Sequence, residues 1–368
     1  MKRLAVAVLC ALLLIPAVSA QVSGPPELSA QCAILMDGES GRVLFEKNAH
    51  QARAIASITK LMTALVAVEY GGALDEQVTI RPEWTGIEGS SLYLKPGETV
   101  TLEALLYGLL LHSGNDAAVA VAAHCAGSVD AFVDRMNERA AELGMEQSHF
   151  TNPNGLSEEG HYSTAYDMAL LARACCKNET VAKIAATRSI TLGTRTFTNH
   201  NKLLWRYEGC TGMKTGYTEL AGRTLVSSAQ RNGQTLIVVT LNAPNDWADH
   251  TALFDYGFEI YPRQILCRAG KTLYTVPVNG SLVPFVAAVT AQDVYCPIAA
   301  QETVRAELNL PDWVEAPVQE GTVLGSLSFY LGETMIGQTD LLAKDSVRQE
   351  LVPRRGLLER IKDWLKQT

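Results

Sequence analysis

Three short polar groups occur in order along the 368 residues: Ser57-Ile58-Thr59-Lys60, Ser113-Gly114-Asn115 and Lys214-Thr215-Gly216. A serine and a lysine three apart on a helix share one face and can touch. A free serine hydroxyl is a poor nucleophile, but a lysine whose pKa is lowered by burial and by a second cation can take its proton. Lys214 is the candidate second cation. Ser113 and Asn115, two apart in a turn, can face one cavity. There Ser113 can relay a proton between Lys60 and a leaving amine, and Asn115 can hold a substrate peptide group. Lys214 offers positive charge, Thr215 a hydroxyl for a carboxylate, and Gly216 close approach of a ligand to the backbone. The Tyr217 N–H is an oxyanion donor to set beside that of Ser57. These are the parts of an acyl-transfer site. Singly each has a bland alternative: Ser57 as a helix N-cap beside a solvated Lys60, or Ser113–Asn115 as an ordinary helix connection. Their joint occurrence, in order and in suitable settings, favours chemistry. A triad of Ser57 with His161 and Asp167 is set aside, because Lys60 already supplies a base and Asp167 suits a helix cap or anchor.

The elements that must position these residues follow from periodicity. Cys32–Met36, a turn around Asp37-Gly38 and Gly41, and Arg42–Glu46 read as a β-hairpin. After Ser57, apolar residues Leu61, Met62, Leu65, Val66 and Val68 recur at helical spacing as far as Gly71, which places Ser57 and Lys60 in the first turns of a mostly buried helix. Leu102–Ala126 is apolar but interrupted by His112–Asp116, so helices should flank that break. Val129–Leu143 and Ala165–Cys175 are further helices. Ser189–Leu192, Thr224–Gln230 and Thr235–Leu241 are strands, the last two joined through Arg231-Asn232-Gly233. A helix near His250–Gly257 ends this first domain. On spacing alone Lys214-Thr215-Gly216 precedes a strand. From about Tyr261 the texture changes to short β-branched runs, with strands expected at Thr272–Val278, Val304–Leu308, Thr322–Tyr330 and Glu333–Asp340.

The bulk numbers limit the functions available. With 47% hydrophobic and 19% charged residues the chain is globular, and 31 basic against 39 acidic residues give −8, unlike a phosphate-binding surface, so no nucleic-acid partner is expected. Lys2, Arg3, the apolar Leu4–Ala17 and Val18-Ser19-Ala20 read as a cleaved signal peptide, residues 1–20. Of eight cysteines Cys10 leaves with that segment, and the odd seven remaining leave at least one thiol unpaired in a monomer. No Cys/His spacing resembles a metal site, and no cofactor is expected. At the other end Leu357, Leu358, Ile361, Trp364 and Leu365 form one apolar stripe. Arg354, Arg355, Arg360, Lys362 and Lys366 surround it. This is a basic amphipathic helix suited to an anionic membrane surface.

Nearly the whole mature sequence resembles the D-alanyl-D-alanine carboxypeptidase family, the low-molecular-mass penicillin-binding proteins related to β-lactamases. The resemblance runs through the hairpin Asp37–Asn48, Ser57–Thr63, Ser113–Ala117, Asn152-Pro153-Asn154-Gly155-Leu156, His161–Asp167 and Gly212–Thr218. It continues in Ala316-Pro317-Val318 with Gly321–Gly325. It implies an α+β fold: a β-lactamase/transpeptidase-like catalytic domain (21–260) with helices on an antiparallel sheet, a small all-β domain (261–350) and the C-terminal helix (351–368). It implies Ser57 as the acylated residue, Lys60 as its base, Ser113 and Asn115 as a second wall, and Lys214 with Thr215 on a recognition strand. Peptidoglycan stem peptides and β-lactams would be the ligands, met by an exported protein on the outer face of the cytoplasmic membrane. One departure stands out. Where relatives often carry an arginine just before the last helix of the first domain, this chain has Asn245-Asp246-Trp247. Two other functions share the motifs. A serine β-lactamase would need a glutamate-bearing loop, absent from Asn152–Leu156, and a penicillin sensor would need a transmembrane relay, which is not visible.

Overall fold

Strand alternation builds the central sheet. In β1 (Cys32–Asp37) all six residues are buried, but on two sides: Ile34 and Met36 join one core, Ala33 and Leu35 another. This is the period-two pattern of a strand covered on both faces. β2 (Val43–Lys47) pairs antiparallel with β1 and completes the expected hairpin. Two small ribbons follow, β3 (Gln77–Thr79) with β4 (Thr99–Thr101) and β5 (Ser189–Leu192) with β6 (Arg195–Thr198). β7 (Cys210–Thr218), β8 (Gly222–Arg231) and β9 (Gln234–Leu241) complete a five-stranded antiparallel sheet in the order β2-β1-β9-β8-β7. The β8–β9 turn is made by Asn232 and Gly233, both with positive φ, as the hairpin signal required. The structure, a computed structural model, describes residues 24–350. The signal peptide read at 1–20 and the helix read at 351–368 lie outside the described residues.

One face of the sheet carries α1 (Lys60–Tyr70), α2 (Leu102–Tyr107), α3 (Asn115–Ala126), α4 (Val129–Glu142), α5 (Ala165–Lys177) and α6 (Glu179–Ala186). The short α7 (Leu203–Arg206) abuts β7, and α8 (Asp246–Ile260) covers the other face through Leu253 and Phe254. Side chains of Thr101, Ser128, Thr164 and Asn178 cap α2, α4, α5 and α6, each contributing about 1 kcal/mol. Helix α1 has no such cap, and every residue from Lys60 to Ala67 is buried. It is a helix apolar nearly all round, held by its surroundings. Gly257 lets α8 sit close to the sheet: a Cβ there would lie 2.7 Å from Leu236 and 2.9 Å from Leu35.

The second core is all β. It comprises β10 (Arg263–Cys267), β11 (Thr272–Asn279), β12 (Phe285–Thr290), β13 (Val294–Pro297), β14 (Val304–Asn309), β15 (Val314–Glu315), β16 (Val323–Leu331) and β17 (Thr334–Ala343). Six of these form a sheet in the order β14-β16-β17-β12-β11-β15, and β10 pairs with β13. Val276, Val286, Ala288, Phe329 and Leu341 lie at its centre. Strands β10, β12, β13 and β15 went unread in the sequence. Alanines in β12 and the closing Pro297 of β13 lower their intrinsic strand signal, and pairing with stronger neighbours overrides it. Arg42, from the turn before β2, reaches across to Glu302 and the Pro297 carbonyl, and Arg263 pairs with Glu39 at 3.0 Å.

Candidate active site

Ser57 sits in a tight 3₁₀ turn, Ala56–Thr59, immediately before α1, and Lys60 is the first residue of the helix. Ala56 has φ +51°, a left-handed conformation that an alanine adopts only when neighbours hold it there. Those neighbours are visible. Thr59 Oγ1 donates to the Ala56 carbonyl at 2.8 Å and lies 2.8 Å from His161 Nε2, while His161 Nδ1 accepts from the Thr151 N–H at 3.1 Å. With the threonine proton committed, His161 Nε2 must be the donor, so the ring is neutral. Burial keeps it so, pushing its pKa down to about 4. The loop Asn152–Leu156 closes on the same turn: a Cβ on Gly155 (φ +83°) would fall 2.1 Å from the Ala56 oxygen. Asp167 accepts from Gln147 N–H and the Ser148 hydroxyl at the start of α5. His161 and Asp167 therefore brace the turn and the helix, and among the described residues Ser57 makes no hydrogen bond to His161 that a triad would need.

Lys60 is fully buried, and its Nζ has three partners: Ser57 Oγ at 3.0 Å, Asn115 Oδ1 at 2.7 Å and the Asn154 carbonyl at 2.5 Å. Burial first, then the nearby Lys214 ammonium, hold its pKa well below the usual lysine range, with Asp116 opposing. A neutral amine has two N–H bonds and one lone pair. The two carbonyl oxygens can accept only hydrogens, so they take the N–H bonds and leave the lone pair facing Ser57 Oγ. Lys214, also buried, is pushed down to about 7 by desolvation, and its Nζ donates to the Thr215 carbonyl at 2.8 Å.

The break expected between helices is a π-helical turn, Gly108–His112, ended by Ser113 at φ +68° before α3 begins at Asn115. Ser113 opens onto the cleft. Asn115 is buried behind it, Oδ1 on Lys60 and Nδ2 on the Glu88 carbonyl at 2.5 Å, so one Nδ2 hydrogen remains for a ligand. Asp116 accepts from Leu92 N–H, Leu94 N–H, Ala117 N–H and the Ser91 hydroxyl, pinning the segment that brings Ser90 to the cleft.

Lys214-Thr215-Gly216 lies inside β7 rather than ahead of a strand. Lys214 and Gly216 interrupt the strand signal of Thr215 and Tyr217, and an edge strand facing a cleft has no need of an apolar stripe. Gly216 is required by proximity: a Cβ would stand 2.4 Å from Thr224 Oγ1, 2.9 Å from Ser57 N and 3.1 Å from Ile58 N. A cleft of about 370 Å³ results. Ser57, Ser113, Thr215, Gly216 and Tyr217 line it with Ser90, His200, Lys202, Arg223, Asp246 and Trp247. Lys60, Asn115 and Lys214 stand behind that lining. Sequence reasoning missed Arg223, Asp116, the bracing role of His161 and the Asn154 carbonyl. The last is a backbone group that no residue type announces.

A serine and a buried lysine at hydrogen-bond distance, between an edge strand and a helical break, define a penicillin-recognising serine enzyme class. Comparison with known proteins agrees. Residues 19–245 match the D-alanyl-D-alanine carboxypeptidase family (peptidase S11) and residues 262–349 the penicillin-binding protein 5 C-terminal domain. The D-alanyl-D-alanine carboxypeptidase DacF of Bacillus subtilis is 34% identical over 338 residues, 87% of this chain and 86% of the relative. DacA of Escherichia coli is 34% identical over 95% of this chain and 90% of its own length. Penicillin-binding protein 5 from Haemophilus influenzae superposes with TM-score 0.76 at 30% identity, covering 89% of this chain and 99% of that one. The chain belongs to the D-alanyl-D-alanine carboxypeptidase family and is a serine-type D-Ala-D-Ala carboxypeptidase.

Proposed function

We propose that Ser57 is the acylated residue and that this chain trims the terminal D-alanine from peptidoglycan stem peptides. The observation that carries the assignment of roles is the buried Lys60 amine, held by Asn115 and the Asn154 carbonyl with its Nζ 3.0 Å from the Ser57 hydroxyl. As Ser57 Oγ bonds to the penultimate carbonyl carbon, its proton passes to Lys60. The developing oxyanion meets the Ser57 N–H, one of the orphan donors at the start of its turn, and the Tyr217 N–H. The C–N bond then breaks, with the proton delivered from Lys60 through Ser113 to the departing D-alanine. Water, activated by Lys60 in turn, hydrolyses the ester and restores Ser57. Asn115, Lys214, Thr215, Gly216 and Tyr217 form the substrate-binding walls. A β-lactam enters the same cleft and acylates the same oxygen. The test is mass spectrometry with a diacyl-D-Ala-D-Ala peptide and with penicillin. Wild type should release D-alanine and carry a single adduct on Ser57, and Ser57→Ala should do neither. A stable adduct on another serine would overturn the assignment.

The proposal extends to place. Residues 1–20 direct export and are removed, 21–260 form the catalytic domain and 261–350 the β-rich domain, and 351–368 lie on the anionic outer face of the cytoplasmic membrane. Apolar burial of a few side chains at about 1.5–3 kcal/mol each, less the ordering cost, gives reversible attachment. The mature protein should sediment with anionic liposomes, and deletion of 354–368 should release it with peptide hydrolysis unchanged. Equal sedimentation of the truncated protein would refute the membrane role.

A further inference from the structure

The cation that balances a ligand carboxylate in this cleft needs a source, because position 246, where the family resemblance leads one to expect arginine, holds an acid. Two cations line the cleft, Lys202 and Arg223. Lys202 is exposed and forms no side-chain hydrogen bond among the described residues. Arg223 is held. It lies in β8, directly across the ladder from Tyr217 of β7. Its Nη2 donates to both oxygens of Asp246, at 2.8 and 2.9 Å, and its guanidinium lies 5.6 Å from the Trp247 ring centre. Asp246 is itself fixed: its side chain is 2% exposed, and Oδ1 also accepts the Trp247 N–H at 2.9 Å.

The geometry leaves a definite surplus. Both oxygens of Asp246 engage Nη2, and no described residue accepts from Nη1. Arg223 Nε is buried with no partner, although the side chain as a whole is 41% exposed where it meets the cleft. An arginine fixed at Nη2 and with Nη1 unpartnered is pre-organised for an anion. A solvated lysine must first be ordered. Lys214 is buried behind the lining and already donates to the Thr215 carbonyl.

We infer that Arg223, oriented by Asp246 and Trp247, is the residue that recognises the ligand's terminal carboxylate, with Asp246 as its positioning residue. In this reading Asp246 does not weaken carboxylate recognition. It supports a cation supplied from the neighbouring strand. The inference rests on the acyl-enzyme reading of the cleft and adds to it the source of its preference for a free acid.

Two ligand pairs test it: diacyl-D-Ala-D-Ala against its C-terminal amide, and benzylpenicillin against its methyl ester. Wild type should favour the acid in both pairs. In Arg223→Gln, kcat/KM for the acid peptide and the rate of adduct formation with benzylpenicillin should fall about 10- to 100-fold, as for loss of one charge-assisted contact. Amide and ester rates should stay within about threefold, so that acid preference disappears. Arg223→Lys should restore part of that preference. Asp246→Asn should raise KM for the acid with kcat little changed. Equal losses for acid and amide, or an intact acid preference in Arg223→Gln, would overturn the inference. Failure of wild type to release D-alanine while the penicillin pair behaves as described would count against the carboxypeptidase reading and leave the carboxylate assignment standing.

Discussion

Replacing Gly216 by alanine tests whether close contact between β7 and the Ser57 turn is part of the machinery. The added Cβ would lie 2.9 Å from Ser57 N and 3.1 Å from Ile58 N, where ordinary contact begins at 3.4 Å. Relief requires β7 to retreat by about half an ångström from the turn, since the turn is clamped behind by Thr59, His161 and Gly155. The remaining clash, 2.4 Å to Thr224 Oγ1, involves a side chain that donates to the Ile55 carbonyl at 3.0 Å, so rotating it away breaks a buried hydrogen bond. Overpacking of this kind costs about 1–3 kcal/mol of stability. A misplacement approaching 1 Å between nucleophile and oxyanion donors costs up to about 100-fold in rate. Stopped-flow acylation by a fluorescent penicillin should therefore slow by about 10- to 100-fold, with the melting temperature several degrees lower. Adding Thr224→Ala removes the side-chain clash together with the hydrogen bond to Ile55, and should not recover the rate, because the backbone contact with Ser57 remains. Acylation within about threefold of wild type in a well-folded Gly216→Ala protein would refute the reasoning.

Lys60→Arg keeps length and charge but cannot accept a proton, since guanidinium stays protonated; adduct formation should be abolished while circular dichroism stays native. Lys214, held at about 7 by burial, loses its charge as pH rises. Peptide kcat/KM should decline on the alkaline side near that value, and Lys214→Arg should shift that limb upward or erase it, which a pH–rate profile reads directly. His161 and His250, lowered to about 4 and about 3 by burial, are neutral in the fold and titrate near 6.5 when unfolded. The unfolded chain then binds more protons between those values, so stability is full above pH 6.5 and falls as pH drops toward 4 and below. His161 alone accounts for roughly 3 kcal/mol at most. Urea midpoints that stay flat from pH 7 to pH 4 would contradict this.

Much of the site was legible in the residues themselves. Ser57, Lys60 and Ser113 are recognisable because a three-residue helical spacing and a broken apolar helix are patterns that local geometry imposes. The hairpin of Cys32–Met36 and Arg42–Glu46 was likewise legible and forms as β1 and β2, whereas the division of β1 between two cores appears only in the structure. What local pattern could not supply was pairing at long range. The strand identity of Lys214-Thr215-Gly216 comes from its ladder with β8 rather than from its own propensity. The Lys60 amine is held by an amide 55 residues away and a carbonyl 94 residues away. Arg223 and Asp246, 23 residues apart and on different elements, form an ion pair only because β8 begins beside the start of α8. Residue types and spacing thus determined which chemistry this chain is able to perform. Burial, which depresses Lys60, Lys214 and His161, and the docking of remote backbone groups decided how it is poised. Desolvation and directional hydrogen bonds exist only once the tertiary structure has closed around them.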